Sequence, residues 1–364
     1  MMNRTISVIV PTRNEGSNPH ALTARVTSVC GEEDYEIIFV DASSDPRSLA
    51  VLSHLSQTVP GVRVLPQTSR SGLAGAVLEG VQAAKGEYLI VMDGDLQHPP
   101  ELIPYLLDAL RRGDDLCVGA RAQVLPTSGF SSLLRARMSD SATHVAHWLL
   151  PGARKTPDPM SGYFACRASA IGDISDLRPV GFKILLEILC RRPALRVSMA
   201  PYGFGCRQEG VSKFSGRVFM QFGLHLARLF LLRKGARYAF VGALGAGVNV
   251  VVMQALLGAG IPALGASLGA GWAALVFNFL TNNGWTWSDI GSPRLPYWSR
   301  LLVYVLVALL GLGSTAFVML SLRDLGILPI LGQAVGIGVT SVWTFQAHKR
   351  LTFRPRVPRG TRSA

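Results

Sequence analysis

Charge is scarce in this chain of 364 residues: 16% are Asp, Glu, Lys or Arg, against 49% hydrophobic. With a mean hydropathy of +0.30, that scarcity excludes intrinsic disorder and argues against an ordinary soluble enzyme. Cysteine is sparse too. Cys30, Cys117, Cys166, Cys190 and Cys206 are odd in number, widely spaced and form no CxxC pair. They predict free, mostly buried thiols of a reducing compartment, not a disulfide framework or a zinc site. Met1 to Thr5 run straight into a strand-like SVIV, so no signal peptide is expected. Interleaved aromatic and basic motifs are missing, so the net charge of +13 does not point to nucleic acid.

The charge that exists is unevenly divided. Residues 1–115 carry 9 basic and 15 acidic side chains, residues 116–237 carry 18 and 6, and residues 238–364 carry 9 and 2. The net charges are therefore −6, +12 and +7. Uncharged runs are long: 51 residues from Tyr238 to Ser288, 22 from Leu301 to Leu322, and 23 from Leu325 to Ala347. Gly258 to Pro262 break the first run, which reads as spans over roughly 238–260 and 264–284. Because about 20 apolar residues cross the hydrocarbon core, four transmembrane helices are expected. Arg233, Lys234, Arg237, Arg294, Arg300 and the basic residues from Lys349 to Arg362 lie on one side; the short hairpin loops hold only Arg323 and Asp324. The positive-inside rule then places both termini in the cytoplasm. Phe279 to Trp287 match Phe345 to Phe353 at an offset of 66, which fits either an aromatic belt or a duplicated two-helix unit.

The first 120 residues alternate short apolar runs (7–10, 36–40, 62–65, 87–92, 116–119) with helical stretches (19–30, 47–57, 73–85, 100–112). That order predicts a mostly parallel, Rossmann-like sheet with ligands beyond the carboxyl ends of its strands. Three runs end in polar residues there: Thr12-Arg13-Asn14-Glu15, Asp41, and Asp93-Gly94-Asp95. Two carboxylates around a glycine after a buried strand suit a hard cation that bridges protein and pyrophosphate, with Gln97 as a further oxygen. His98 reads as a turn histidine before Pro99-Pro100 rather than a metal ligand.

Val8 to Glu15, Val40 to Asp45 and Asp93 to Pro100 resemble the opening of a family 2 glycosyltransferase with a GT-A fold. More narrowly, the chain resembles polyprenyl-phosphate glycosyltransferases of the dolichol-phosphate mannose synthase type. Gly72-Leu73-Ala74 with Gly80 and Gly86, Val118 to Arg121, Ser161 to Phe164 and Arg207 to Lys213 fit later motifs of that family. The spans resemble a GtrA-like membrane domain, most recognisably at Asn282 to Trp287. The pair Asp41-Ala42 departs from the two consecutive acids frequent in the family, and Thr12 stands where tyrosine is frequent. With Asp41 alone to accept from a nucleobase N–H, the base preference is less defined.

The resemblance implies a GT-A catalytic domain over 1–213, an amphipathic interfacial helix and linker over 214–234, an all-α four-helix transmembrane domain over 235–353, and a basic tail over 354–364. It implies inverting transfer of a hexose, with GDP-mannose favoured as donor, to a polyprenyl or dolichyl phosphate at the cytoplasmic face of the bilayer. Asp93, Asp95 and Gln97 would hold Mg²⁺ or Mn²⁺. Pro11, Asn14, Glu15, Asp41, Arg70, Asp93, Arg207, Ser212 and Lys213 would bind the donor. Arg121, Arg135 and Ser139 would take the acceptor phosphate, and Asp93, Asp95 and Arg121 would carry catalysis. A phosphate oxygen is already anionic near neutral pH and needs little general base, so positioning and electrostatics are the main tasks. UDP-glucose or another UDP-sugar is the alternative donor. A transporter or flippase that only binds nucleotide-sugar is the alternative of another class. The spans carry no ionised residue in mid-bilayer, so ion coupling is unsupported. A processive polysaccharide synthase is disfavoured because no Arg-Trp dipeptide occurs.

Overall fold

A computed structural model describes residues 5–68, 72–121, 141–178, 184–203, 216–291 and 293–355. The chain divides into two units, Met1–Leu229 and Phe230–Ala364.

In the first unit the expected runs form β1 (Ile6–Thr12), β2 (Tyr35–Asp41), β3 (Val62–Pro66), β4 (Tyr88–Val91) and β5 (Leu116–Arg121). Helices α1 (Asn18–Cys30), α2 (Pro46–Thr58), α3 (Gly72–Ala83) and α4 (Ile103–Arg111) follow β1 to β4 in turn. Two further strands, β6 (Phe164–Arg167) and β7 (Val197–Tyr202), carry no pattern that singled them out in the sequence. The sheet order is β3-β2-β1-β4-β6-β5-β7. β6 runs antiparallel to both β4 and β5, and the other pairings are parallel.

Both faces of the sheet are covered, so β1 is buried along its whole length. Val8 and Val10 point into one core with Leu22, Phe39 and Leu106, while Ile9 joins the other with Val77, Val91, Phe164 and Ile188. The period of two along a strand causes this division. α3 lies close against β1: a Cβ at Gly80 would sit 2.4 Å from Ile9 Cγ2, and one at Gly86 would sit 2.6 Å from the Ser7 nitrogen. After β3 the chain returns across β1 to form β4, so the strand order reverses between β1 and β4. Ligands of open α/β sheets bind at such a switch point, outside the carboxyl ends of the strands.

The rest of the first unit adds helix α5 over 141–149, a single turn α6 (Ala168–Ile171), α7 (Ile184–Arg191) and α8 (Gly216–Leu231). On α8 His225, Leu226 and Leu229 are buried while Met220 and Leu224 are exposed; Val145 and Trp148 of α5 are exposed too. Residues 122–140, and the side chains of Val218 and Phe219 in the helix expected to be interfacial, lie outside the described part. Cys30, Cys117 and Cys166 are buried and free, Cys190 is half-buried and free, and Cys206 lies outside the described residues. Burial pushes the Cys30 thiol up to about 11 and Cys166 to about 12, so both stay protonated near neutral pH.

The second unit consists of α9 (Lys234–Gly258), α10 (Ala263–Thr281), α11 (Tyr297–Asp324) and α12 (Pro329–Ala347). Among the described residues three helices are long and apolar enough to cross a membrane: Lys234–Gly258, Ala263–Thr286 and Tyr297–Asp324. Four had been expected; α12 is the fourth helix, with 19 residues. Many apolar side chains face outward, Val251, Leu264, Leu310, Phe317 and Val342 among them. The helices pair as antiparallel hairpins, α9 with α10 and α11 with α12. Small residues set the crossings: a Cβ at Gly245 would meet the Asn278 amide, one at Gly311 would meet Thr344 Cγ2 at 3.2 Å, and one at Gly336 would sit 2.8 Å from the Thr315 carbonyl oxygen.

The repeat at an offset of 66 is structural. α10 ends in a π-helical turn, Asn282–Thr286, and α12 ends in another, His348–Thr352. Trp287 N–H donates to the Asn282 carbonyl at 3.0 Å, and Phe353 N–H donates to the His348 carbonyl at 2.8 Å. Thr286 Oγ1 donates to Asn282 Oδ1 at 2.7 Å, and Thr352 Oγ1 lies 3.0 Å from His348 Nδ1. Trp287 and Phe353 stack with centroids 4.3 Å apart and planes 9° from parallel. Gly245 against Asn278 and Gly311 against Thr344 occupy the same positions in the two hairpins. These matched bonds favour the duplicated unit over an aromatic belt alone.

Candidate active site

The loops that follow β1, β2 and β4 meet at one edge of the sheet. Thr12 and Asp41 are partners in register at the ends of β1 and β2. Asp41 Oδ1 accepts from Thr12 Oγ1 at 3.1 Å, Ser43 N–H at 3.2 Å and Ser43 Oγ at 2.6 Å, while Oδ2 takes no part in that network. Asn14 has a φ of 58°, in the left-handed region. Its N–H donates to Ser43 Oγ at 2.8 Å, and its Oδ1 accepts from Ser44 N–H at 2.9 Å and Asp45 N–H at 3.1 Å. Asn14 thus joins the β1 loop to the β2 loop. Asp45 caps α2 by accepting from Ser48 N–H at 2.9 Å, and the two bonds from Ser48 hold its carboxyl below the usual range. Ser48 Oγ in turn accepts from Gly16 N–H at 3.0 Å.

Asp93, Gly94 and Asp95 form the turn after β4. A Cβ at Gly94 would sit 3.0 Å from Thr12 Cγ2, so this turn lies directly against the end of β1. Asp95 is buried and its Oδ1 accepts from Gln97 N–H at 3.2 Å. The Asp93 side chain is 35% exposed. Leu96 has a φ of 63°, and with Asn14 it is one of two described residues other than glycine in the left-handed region. Both lie in loops at this edge, where backbone strain accompanies function in many sites.

From the other side, the segment that leads into β6 supports the turn. His98 is buried, accepts Asp93 N–H through Nδ1 at 3.0 Å, and stacks on Tyr163 at 5.0 Å. Tyr202 packs edge-on against both rings. Tyr163 OH donates to the Pro99 carbonyl at 2.8 Å, and Ser161 Oγ donates to the Gly119 carbonyl at 2.7 Å. The histidine expected as a turn residue is therefore a packed and hydrogen-bonded part of the site.

Arg121, at the end of β5, is the register partner of Tyr202 at the end of β7. Its Nε donates to Asp158 Oδ2 at 2.7 Å and its Nη2 to Asp158 Oδ1 at 2.9 Å. Asp158 is buried. Burial pushes the Tyr202 phenol above its ordinary value; Arg121 pulls it down, and Asp158, Asp93 and Asp95 push it up. Tyr202, the register partner of Arg121, packs edge-on against His98, which accepts the Asp93 N–H, so a chain of contacts links the end of β5 to the Asp93-Asp95 turn. Arg70, Arg135, Ser139, Arg207, Ser212 and Lys213 lie outside the described residues.

The donor set suits a hard cation. Asp93 and Asp95 offer carboxylate oxygens, Gln97 an amide oxygen, and a Cβ at Gly162 would crowd the Asp93 oxygens at 3.1 and 3.3 Å. Among the described residues no cluster of three or more His, Cys, Asp or Glu could hold a metal, so two carboxylates would need oxygens from a bound substrate to complete a shell. Sequence reasoning missed Asp158, Tyr202 and the roles of His98 and Tyr163. Tyr163 lay inside a motif already noted, but no sequence signal links Asp158 to an arginine 37 residues before it.

Comparison with known proteins adds five findings. Residues 7–171 match the family model described as Glycosyl transferase family 2, and residues 237–353 match that of the GtrA/DPMS transmembrane domain. The chain is 35% identical to the dolichol-phosphate mannosyltransferase of Pyrococcus furiosus over 336 residues, which cover 91% of this chain and 94% of that relative. It is 35% identical to the dolichol-phosphate mannosyltransferase of Saccharomyces cerevisiae over 248 residues, 65% of this chain and 90% of the relative. Among solved structures, the glucosyl-3-phosphoglycerate synthase of Mycobacterium tuberculosis with Mn²⁺, UDP-glucose and phosphoglyceric acid superposes with a TM-score of 0.49 and 18% identity, over 62% of this chain and 80% of that one.

Proposed function

The chain belongs to the dolichol-phosphate mannosyltransferases, family 2 glycosyltransferases that here carry a GtrA/DPMS transmembrane domain, and from that premise we infer that it transfers mannose from GDP-mannose to a polyprenyl or dolichyl phosphate. It is a glycosyltransferase and a membrane protein. The observation that carries the reading is the turn Asp93-Gly94-Asp95 after β4, set against the end of β1 and linked through His98 and Tyr202 to Arg121 at the end of β5.

Asp93, Asp95 and Gln97 would hold Mg²⁺ or Mn²⁺. Such a cation, when bound, supplies Lewis-acid neutralisation of the charge that grows on the leaving nucleoside diphosphate. The chain's own residues do the remaining work. Asn14 and the β2 loop hold the donor side of the crevice in shape, with Pro11 and Glu15 beside them and Asp41 Oδ2 directed to the base or ribose. Arg70, Arg207, Ser212 and Lys213 bind the donor. Arg121, kept in orientation by Asp158, binds the acceptor phosphate with Arg135 and Ser139, since arginine forks match phosphate oxygens. The phosphate oxygen attacks the anomeric carbon from the face opposite the leaving group, and configuration inverts. The catalytic unit and both termini are cytoplasmic, and the membrane unit is multi-pass.

Membranes that contain the protein, supplied with polyprenyl phosphate and either labelled GDP-mannose or labelled UDP-glucose, test this. A lipid-linked mannose from GDP-mannose is expected. Product from UDP-glucose alone would replace the donor assignment, and no lipid product from either would overturn the reading.

A further inference from the structure

His98 is enclosed on several sides. It is 3% exposed, its face stacks on Tyr163, and its edge is closed by Tyr202. Tyr163 is itself pinned by its bond to the Pro99 carbonyl, the residue after His98. These contacts hold the imidazole in place. In that fixed orientation Nδ1 accepts the Asp93 N–H at 3.0 Å. A ring nitrogen that accepts a hydrogen bond is unprotonated, so the neutral ring carries its proton on Nε2. Nε2 lies 3.7 Å from Asp93 Oδ2, beyond hydrogen-bond length but close enough for electrostatic attraction to the carboxylate of the same residue.

We propose that His98 is the positioning residue of the Asp93-Asp95 turn: through its Nδ1 bond it fixes the Asp93 backbone, and the electrostatic pull of its Nε2–H edge biases the Asp93 carboxylate toward the placement a divalent cation needs. This rests on the metal reading above. Three further observations point the same way. Leu96, between Asp95 and His98, is held at a φ of 63°. Such a turn needs an external hold to keep its shape. Gly162 leaves just enough room for the Asp93 oxygens and for His98 Cε1, which a Cβ there would approach to 3.3 Å. Asp93 is the more exposed of the two acids, so burial alone does not orient it. Partners that orient a ligating carboxylate typically change metal affinity about 10- to 100-fold when removed.

The test uses the full-length protein in detergent and reads Mn²⁺ binding directly, by the electron paramagnetic resonance signal of free Mn²⁺, with GDP present. In His98→Asn the side-chain carbonyl can still accept the Asp93 N–H, but the Nε2–H is gone. The expected result is a melting temperature near that of the parent with Mn²⁺ affinity reduced about 10- to 100-fold. Parent-like Mn²⁺ affinity in His98→Asn would overturn the proposal, as would a lowered melting temperature with unchanged affinity. Should that variant fail to fold, His98→Gln carries the test, because its amide N–H reaches the Nε2 position. Affinity within about threefold of the parent supports the proposal, and a loss as large as in Asp93→Asn overturns it. Asp93→Asn is also the control for the premise. If it binds Mn²⁺ like the parent, the metal reading fails; if it loses Mn²⁺ while His98→Asn does not, only the positioning role fails.

Discussion

Single side chains divide the work at this site into holding and reacting. Asp93 faces solvent enough to meet a ligand, whereas Asp95, Asp41 and Asp158 are buried acids that receive hydrogen bonds. Asp93→Asn should therefore lower sugar transfer by roughly 100- to 1,000-fold while circular dichroism stays unchanged. Unchanged transfer would remove Asp93 from the chemistry. Asp158 holds the Arg121 fork by two short bonds. Asp158→Asn keeps the shape but removes the charge, so the guanidinium loses its fixed plane. The expected result is a KM for polyprenyl phosphate up to about 100-fold higher with the donor KM unchanged. A change in donor KM alone would place Arg121 on the wrong substrate.

Elements approach one another closely wherever glycine allows it, and this is where the fold is most easily broken. α3 lies on β1 because Gly80 has no side chain; a methyl group there would meet Ile9 Cγ2 at 2.4 Å. Gly80→Ala should cost about 1–3 kcal/mol in urea unfolding, because the neighbour is a packed β-branched side chain that cannot move aside. A variant as stable as the parent would show that α3 shifts freely. In the membrane unit the same logic joins the hairpins internally, through Gly245 in one and Gly311 and Gly336 in the other. The matched π-helical turns at 282–286 and 348–352 show that the repeat concerns backbone geometry as well as sequence. Asn282 and His348 differ as residue types, yet each is hydrogen-bonded to a threonine four residues on.

The whole molecule combines a charged, acid-sensitive unit with an apolar one, and each predicts its own behaviour. Glu36 is buried; burial opposes its charge, but hydrogen bonds from Arg63, Ser7 and the Lys85 N–H outweigh that and hold its carboxyl below the ordinary value. Glu101 is lowered by Arg25, Asp176 by Arg192 and Asp115 by the Arg196 backbone. A carboxyl with a depressed folded value takes up protons more readily when unfolded. Its stabilisation is thus complete above about pH 4–5 and is lost as pH falls through the folded value. Stability of the first unit should rise with pH across about pH 3 to 5, and Glu36→Gln should flatten that rise; a flat profile in the parent would contradict the assignment. Three apolar helices of 24 to 28 residues predict that the protein stays in the membrane pellet after an alkaline carbonate wash. Release into the supernatant would reduce them to a peripheral association.

Patterns between near neighbours in the chain were legible without coordinates. Alternating apolar runs specify β1 to β5, the Asp-Gly-Asp turn specifies a strand tip, and uncharged runs specify membrane-grade helices, because each depends on residues within about twenty positions. β6 escaped such reading because it is four residues long and only its neighbours, β4 and β5, make it a strand. Its insertion brings Gly162 and Tyr163 beneath Asp93 and His98, a support that strand order alone decides. Asp158 reaches Arg121 across 37 residues, and Trp287 meets Phe353 across 66. Local chemistry is written in local sequence, whereas the orientation of a carboxylate or a guanidinium depends on which distant backbone folds against it.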